Sequence, residues 1–308
     1  MPEANDWEFP EGLRPRPDKF DYDIQNRLDA LLSVSAEVPE DAFTAGTLGA
    51  EREGNAILID DGGLVLTIGY LVVEAETIWL RTNTGQVVPG HLMSYDFDSG
   101  FGLVQALETV DADPLPIGSS AEIAVGAKVV VAGQGGLRHA LDAQVVGKRE
   151  FAGYWEYVLD EAFFTTPVHP NWGGAAMITE DGRLGGIGSL YVQDARGTGQ
   201  PSEGNMIVPI DLLPPLLEAL RAGEAAAPAV RPWVGFYVTE ASERLVVAGI
   251  VEGGPAHRAG LEPGDIVLEV AGAPVGDLPD LFRTIWSLGP AGCAIPLTTW
   301  RGGKPRRA

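Results

Sequence analysis

The chain has 308 residues, is 45% hydrophobic and holds 40 glycines and 23 prolines, which suits two or three domains built from short strands and many turns. A formal net charge of −22 repels phosphate backbones and anionic membranes, so neither nucleic acid nor a membrane is an expected partner. A single cysteine, Cys293, excludes an internal disulfide, and His91, His139, His169 and His257 lack ligand spacing, so no metal and no cofactor are expected.

The chain opens MPEANDWEFPEG, acidic where a signal peptide needs a basic end and an apolar run. No segment approaches the roughly 18 apolar residues of a spanning helix. The sequence as written therefore reads as cytoplasmic, or periplasmic if a signal has been removed. Residues 1–23 carry Pro10, Pro15 and Pro17 and read as an extended arm. Trp7, Phe9, Phe20 and Tyr22 are costly to leave in water, so the arm is expected to dock. Ile24–Val34 shows a short helical stripe that equally reads into a first strand.

From Ala45 the pattern is repetitive β: Asn55–Asp60, Leu64–Ile68, Thr77–Thr82, Gln86–Met93, Phe101–Ala106 and Lys128–Ala132, separated by Gly/Asp turns. Strands of about five residues at that spacing indicate a sandwich or barrel. The stretch Pro167–Leu190 joins a glycine-bearing loop to a strand (Ala175–Thr179), the turn Glu180-Asp181-Gly182 and a second strand from Leu184. Leu212–Ala222 reads as an amphipathic helix, and residues 223–230 as a linker.

The Pro167–Leu190 stretch resembles the nucleophile segment of the HtrA (Deg) serine proteases, P-G-N-S-G-G-P-L-V followed by a D-G hairpin. Gly54–Thr67, Leu115-Pro116-Ile117-Gly118-Ser119, Val125–Gly133 and Val208-Pro209-Ile210-Asp211 match further family motifs in the same order. Beyond the linker, Gly253-Gly254-Pro255-Ala256 and Ala259–Ile266 resemble the family's PDZ domain. The resemblance implies a mainly β fold: a trypsin-like double β-barrel followed by a small α+β PDZ domain. It places the two-barrel domain at 24–222, with barrels at about 24–114 and 120–210 and a closing helix at 211–222. The PDZ domain follows at 231–308, its last strand missing because the chain stops soon after Arg301-Gly302-Gly303.

The resemblance also says where catalysis would sit. Acyl transfer on this fold needs a hydroxyl, an imidazole, an orienting carboxylate and two backbone N–H groups. The histidine position holds Tyr70, a poor base at neutral pH. The aspartate position holds Gly100, with Asp96 and Asp98 nearby as turn caps. Trp172 stands at the serine position. With Gly173-Gly174 aligned on the family's glycine pair, Pro170 falls on an oxyanion donor and has no N–H; with the prolines aligned, the loop is one residue short. Either way the hole is altered.

These substitutions imply a non-catalytic pseudoprotease, with Tyr70 and Trp172 filling the former cleft. The role implied is a scaffold, regulatory or chaperone-like subunit that binds a protein partner or peptide. The partner would be an active HtrA-type paralogue or another enzyme subunit, in a homo- or hetero-oligomer, a trimer by resemblance. Trp7, Phe9, Phe20 and Tyr22 are then oligomer-contact candidates. Peptide binding falls to the loop Trp233-Val234-Gly235, the strand from Phe236 through Val238, and Leu281 and Ile285 on the helix Leu278–Trp286. The alternative is a serine-type protease or other hydrolase with relocated residues, His169 being the nearest base.

Overall fold

The computed structural model describes residues 7–222 and 231–308, so the linker expected at 223–230 lies outside the described residues. The described residues form two compact units: 7–149 with 161–222, and 150–160 with 231–308.

In the first unit, α1 (Ile24–Asp29) is capped by the Asp23 carboxylate, which accepts from the Gln25 and Asn26 N–H groups. The helix is shorter than the stripe to Val34 suggests. From Leu31 burial alternates along the chain, and β1 (Leu31–Glu37) takes over. A one-turn helix, α2 (Ala45–Leu48), precedes β2 (Glu51–Leu58). Then follow β3 (Leu64–Ile68), β4 (Thr77–Arg81), β5 (Val87–Tyr95) and β6 (Phe101–Ala106). They close a barrel in the order β1-β2-β3-β6-β5-β4, antiparallel throughout.

A second closed barrel follows from β7 (Lys128–Ala132), β8 (Ala140–Gly153), β9 (Tyr157–Thr166), β10 (Ala176–Ile178), β11 (Leu184–Val192) and β12 (Gly204–Pro209). The β10–β11 hairpin turns through Glu180-Asp181-Gly182, closed by Thr179 N–H to the Arg183 carbonyl at 2.9 Å. α3 (Leu213–Arg221) closes the unit and buries Leu213, Leu216 and Leu217.

The arm is not a free extension. Phe9 is 7% exposed and joins the second barrel's core with Val131, Leu141, Phe163 and Met177. Its N–H donates to the Arg138 carbonyl at 3.0 Å. Phe9 is therefore removed from the oligomer-contact candidates, because its own barrel already covers the ring. Trp7, Phe20 and Tyr22 remain half-buried.

The second unit carries β13 (Phe236–Ala241), β14 (Arg244–Ile250), α4 (Pro255–Arg258), β15 (Ile266–Val270), β16 (Ala273–Pro274), α5 (Leu278–Ser287), β17 (Leu297–Arg301) and β18 (Lys304–Arg307). The sheet order is β13-β14-β15-β17-β18, with β16 on β15. The last strand expected to be missing is present: Lys304–Arg307 pairs antiparallel with β17 across the Gly302-Gly303 turn. α5 follows the expected range to within a residue, its N-terminus capped by Asp277. A second difference concerns domain bounds. Residues 150–160, read as part of the two-barrel domain, group with the PDZ residues.

Candidate functional site

The cleft lies within the first unit, and Tyr70, Gly100 and Trp172, the three positions that the resemblance assigns to the triad, meet there. Tyr70 sits in a single turn of 3-10 helix, Gly69–Leu71, directly after β3. Gly69 N–H donates to the Gly100 carbonyl at 2.7 Å, so positions 70 and 100 are neighbours, as the family pattern requires. The resemblance puts the orienting carboxylate at position 100, which here is glycine. Asp96 accepts instead from the Ser99 N–H at 2.8 Å and hydroxyl at 2.5 Å, so it caps its own turn.

Tyr70 reaches the nucleophile loop. Its hydroxyl donates to the Ser189 carbonyl at 2.9 Å and accepts from Trp172. A methyl group at Gly173 would lie 2.8 Å from that hydroxyl, which measures how closely the phenol covers the loop. Burial pushes the Tyr70 hydroxyl well above the usual phenol range, so it is neutral at any physiological pH. The Trp172 ring lies beside Tyr191, centroids 5.9 Å apart.

The loop itself is held by β2. Asn55 N–H donates to the Gly173 carbonyl at 2.8 Å, and its side-chain amide donates to the Asn171 carbonyl at 2.8 Å. The Asn55 amide oxygen accepts from Gln134 N–H, tying both barrels to one residue. Gly174 has φ +75°, and a Cβ there would overlap the Asn55 carbonyl at 1.8 Å, so no other residue fits. The Asn171 N–H points at His169 Nδ1, 3.2 Å away. Pro170 has no N–H and that of Asn171 is engaged, so neither position offers a donor to an oxyanion.

His169 does not face the cleft as a base. It is fully buried, its Nε2 lies 2.9 Å from the His139 carbonyl, and its Nδ1 accepts from Asn171, so the imidazole is the neutral Nε2–H tautomer. The rings of Trp7 and Phe9 pack on it at 5.7 and 5.2 Å. Burial pushes its pKa down to about 4.

Arg52, 5% exposed, braces the turn that carries Tyr70. It donates to the carbonyls of Gly49 (3.0 Å), Tyr70 (2.9 Å) and Val73 (3.0 Å) and to the Thr44 hydroxyl (2.7 Å). Neither Arg52 nor Asn55 stands out in the sequence by motif. The one available signal was the pair of glycines opposite Asn55, Gly133 and Gly174, where any side chain collides with it. Among the described residues no three His, Cys, Asp or Glu side chains converge as a metal site.

In the second unit, the loop Trp233-Val234-Gly235 precedes β13 as expected. Gly235 has φ +76°, which turns the N–H groups of Val234 and Gly235 to one side. Leu281 and Ile285 do not form an open wall. With Phe282 they are completely buried in a core that also holds Val234, Phe236 and Val238. A residue that the motifs do not mark, Glu156, occupies the loop: its carboxylate accepts from Val234 N–H at 3.1 Å and Gly235 N–H at 2.8 Å.

Comparisons with known proteins agree with this architecture. A family model for the trypsin-like peptidase domain matches residues 54–187, and one for the PDZ domain matches residues 246–287. The chain is 25% identical over 252 residues to a probable periplasmic serine endoprotease DegP-like of Hahella chejuensis, covering 75% of this chain and 51% of that protein. It is 22% identical over 278 residues to the putative serine protease HhoA of Synechocystis, covering 82% and 68%. The chain thus spans about half the length of the DegP-like relatives. Among solved structures, an HtrA-type protease, AlgWS227A, bound to a decapeptide superposes with a TM-score of 0.52 at 16% identity over 91% of this chain and 92% of that one. That likeness carries the fold. Among the described residues no helix is long and apolar enough to cross a membrane. The order of domains, the matched motifs and the relatives place the chain in the HtrA-type family, whose members are normally serine proteases.

Proposed function

We propose that this chain is a non-catalytic member of its family, a scaffold, regulatory or chaperone-like subunit that acts by binding a protein partner or peptide. One observation carries the reading. The Tyr70 hydroxyl bonds to the Ser189 carbonyl and the Trp172 indole, so the places of base and nucleophile hold a phenol and an indole engaged with each other and with the loop, where a working site needs an imidazole bonded to a hydroxyl. An indole offers no nucleophile for acyl transfer, and a neutral phenol offers no base. His169, the one relocated base within reach by sequence, has both ring nitrogens engaged. Losing a single oxyanion donor costs on the order of 10²–10³ in rate, so the substituted loop removes even the residual catalysis that survives loss of a triad.

The partner follows from the family: an active HtrA-type paralogue or another enzyme subunit, in a homo- or hetero-oligomer, a trimer by resemblance. The solved relatives that hold a decapeptide or a tripeptide support peptide recognition as the surviving activity.

The test is a casein and peptide turnover assay on the full chain beside a fluorophosphonate probe. We expect no turnover and no serine labelling, and the same for Trp172→Ser, because neither base nor oxyanion hole returns with the hydroxyl. Labelling of any serine in the unaltered chain overturns the reading. Affinity capture from the source cell, with an HtrA-type protease or a defined enzyme assembly recovered stoichiometrically, supports the partner.

A further inference from the structure

The tip between β8 and β9 is unusual for a surface turn. It reads Gly153-Tyr154-Trp155-Glu156-Tyr157, and its glutamate is 7% exposed. Glu156 also has φ +61°, a left-handed backbone that a glutamate seldom adopts. A buried acid in a strained conformation persists only where its surroundings compensate.

The compensation is specific. Val234 N–H lies 3.1 Å from both Glu156 carboxylate oxygens, and Gly235 N–H lies 2.8 Å from one of them. Two residues earlier, the Tyr154 carbonyl accepts from Val238 N–H on β13 at 3.0 Å. Ala152 and Val158 pack against the PDZ core. The Tyr154 ring meets Tyr237 at 5.9 Å, and Trp155 stacks on Tyr157 at 5.7 Å. Arg283 on α5 pairs with Glu150 and with Asp160, one on each leg of the tip, at 2.5 Å each.

A peptide captured by strand addition makes the same kinds of contact: a terminal carboxylate on loop N–H groups and backbone bonds to the sheet edge. Here a side chain supplies the carboxylate. The left-handed turn at Glu156 then lets the chain fold back into β9 where a peptide would end.

We propose that residues 153–157 are a built-in ligand of the PDZ groove, with the Glu156 carboxylate in the place of a peptide's terminal carboxylate, so that the groove accepts a free C-terminus only when Glu156 leaves. The inference rests on the binding half of the proposed function and adds its regulation: the partner must displace a segment of this chain.

Two measurements on the full chain test it. The first is hydrogen exchange of the amides at residues 234–238, in wild type, Glu156→Ala and Arg283→Ser. We expect exchange at least tenfold faster in Glu156→Ala and a smaller change of the same sign in Arg283→Ser, with α5 still protected as evidence of an intact fold. Arg283 is half-exposed, so its variant keeps the test decisive if Glu156→Ala does not fold. Equal exchange in wild type and in the folded variants overturns the proposal. The second is anisotropy of a labelled peptide copying residues 148–155 with one added valine bearing a free carboxylate. We expect at least tenfold tighter binding to Glu156→Ala than to wild type, lost when the peptide is amidated. Equal or tighter binding to wild type overturns the proposal. Faster exchange with no peptide binding to any variant supports the built-in ligand and overturns peptide recognition as the protein's function.

Discussion

The barrel cleft and the PDZ groove are the two places where an HtrA-type chain would receive another polypeptide, and in this protein both are filled from within. The fillings differ in kind. In the cleft, on the function proposed above, Tyr70 and Trp172 stand in place of the reacting groups, held by neighbours on short turns and by Asn55 and Arg52. Opening it requires breaking part-buried hydrogen bonds in the joint between two closed barrels. In the groove, the recognition elements are kept, namely a loop with converging N–H groups and a strand edge, and a separate segment lies in them. A substituted site is closed for good, whereas an occupied site is closed until its occupant is displaced. The lesson is that two filled sites in one chain need not have lost the same thing.

The contrast breaks if the cleft proves as loose as the groove. Arg52→Ala removes donors from three backbone carbonyls and the Thr44 hydroxyl around the Tyr70 turn. Stranded acceptors of this kind cost about 1–3 kcal/mol each when water cannot reach them, so we expect about 3 kcal/mol lower stability for the barrel unit in urea unfolding. A change below about 0.5 kcal/mol, the range of ordinary surface substitutions, means the turn is solvent-braced and the cleft is not rigid. A milder change, Tyr70→Phe, deletes one hydroxyl with two partners while keeping the ring. Leaving the Ser189 carbonyl unpaired predicts a loss of about 1–2 kcal/mol. Equal stability in the same urea experiment means water replaces the hydroxyl, and the cleft is wetter than a plugged site permits.

Much of the framework was legible because it is local. Leu64–Ile68, Phe101–Ala106 and Lys128–Ala132 alternate or run apolar between turn residues, and each became a strand with those limits. Motifs in fixed order single out Tyr70, Gly100 and Trp172, and the fold brings Tyr70 beside Gly100 and against the loop that carries Trp172. What the sequence hid is non-local. Phe9 was expected to dock, with a second subunit as the candidate surface, and only the fold shows that the core of its own second barrel receives it. The helix stripe from Ile24 stops early because Leu31 finds a strand partner in Ile57 of β2. The last PDZ strand was expected to be missing, since Lys304–Arg307 is exposed and shows no burial pattern, yet its backbone pairs with β17. Glu156 was invisible for the strongest reason: an acid in a turn is the default surface residue, and its burial depends on a loop almost 80 positions away.

The sharpest comparison of cleft and groove is their response to pH. In the barrel unit, burial carries the Tyr70 hydroxyl above its usual range and His169 down to about 4, so neither titrates near neutrality. A group in the groove does. Burial pushes Glu156 up to about 7, opposed by the Val234, Gly235 and Phe236 N–H groups and by the charge of Arg231. A carboxyl whose folded pKa lies above its unfolded value of 4.5 binds more protons folded than unfolded between those two pH values. Its contribution to stability is therefore complete below about pH 4.5 and falls as pH rises toward about 7, with a slope of at most about 1.4 kcal/mol per pH unit. We expect the amides at 234–238, after correction for intrinsic exchange, to lose protection between pH 5 and 8 in wild type, and Glu156→Gln to flatten that dependence while leaving the barrel unit's own profile as in wild type. A wild-type profile as flat as that of Glu156→Gln would mean the carboxylate is ionised throughout, held by the loop as firmly as a peptide's own terminus and released by competition alone.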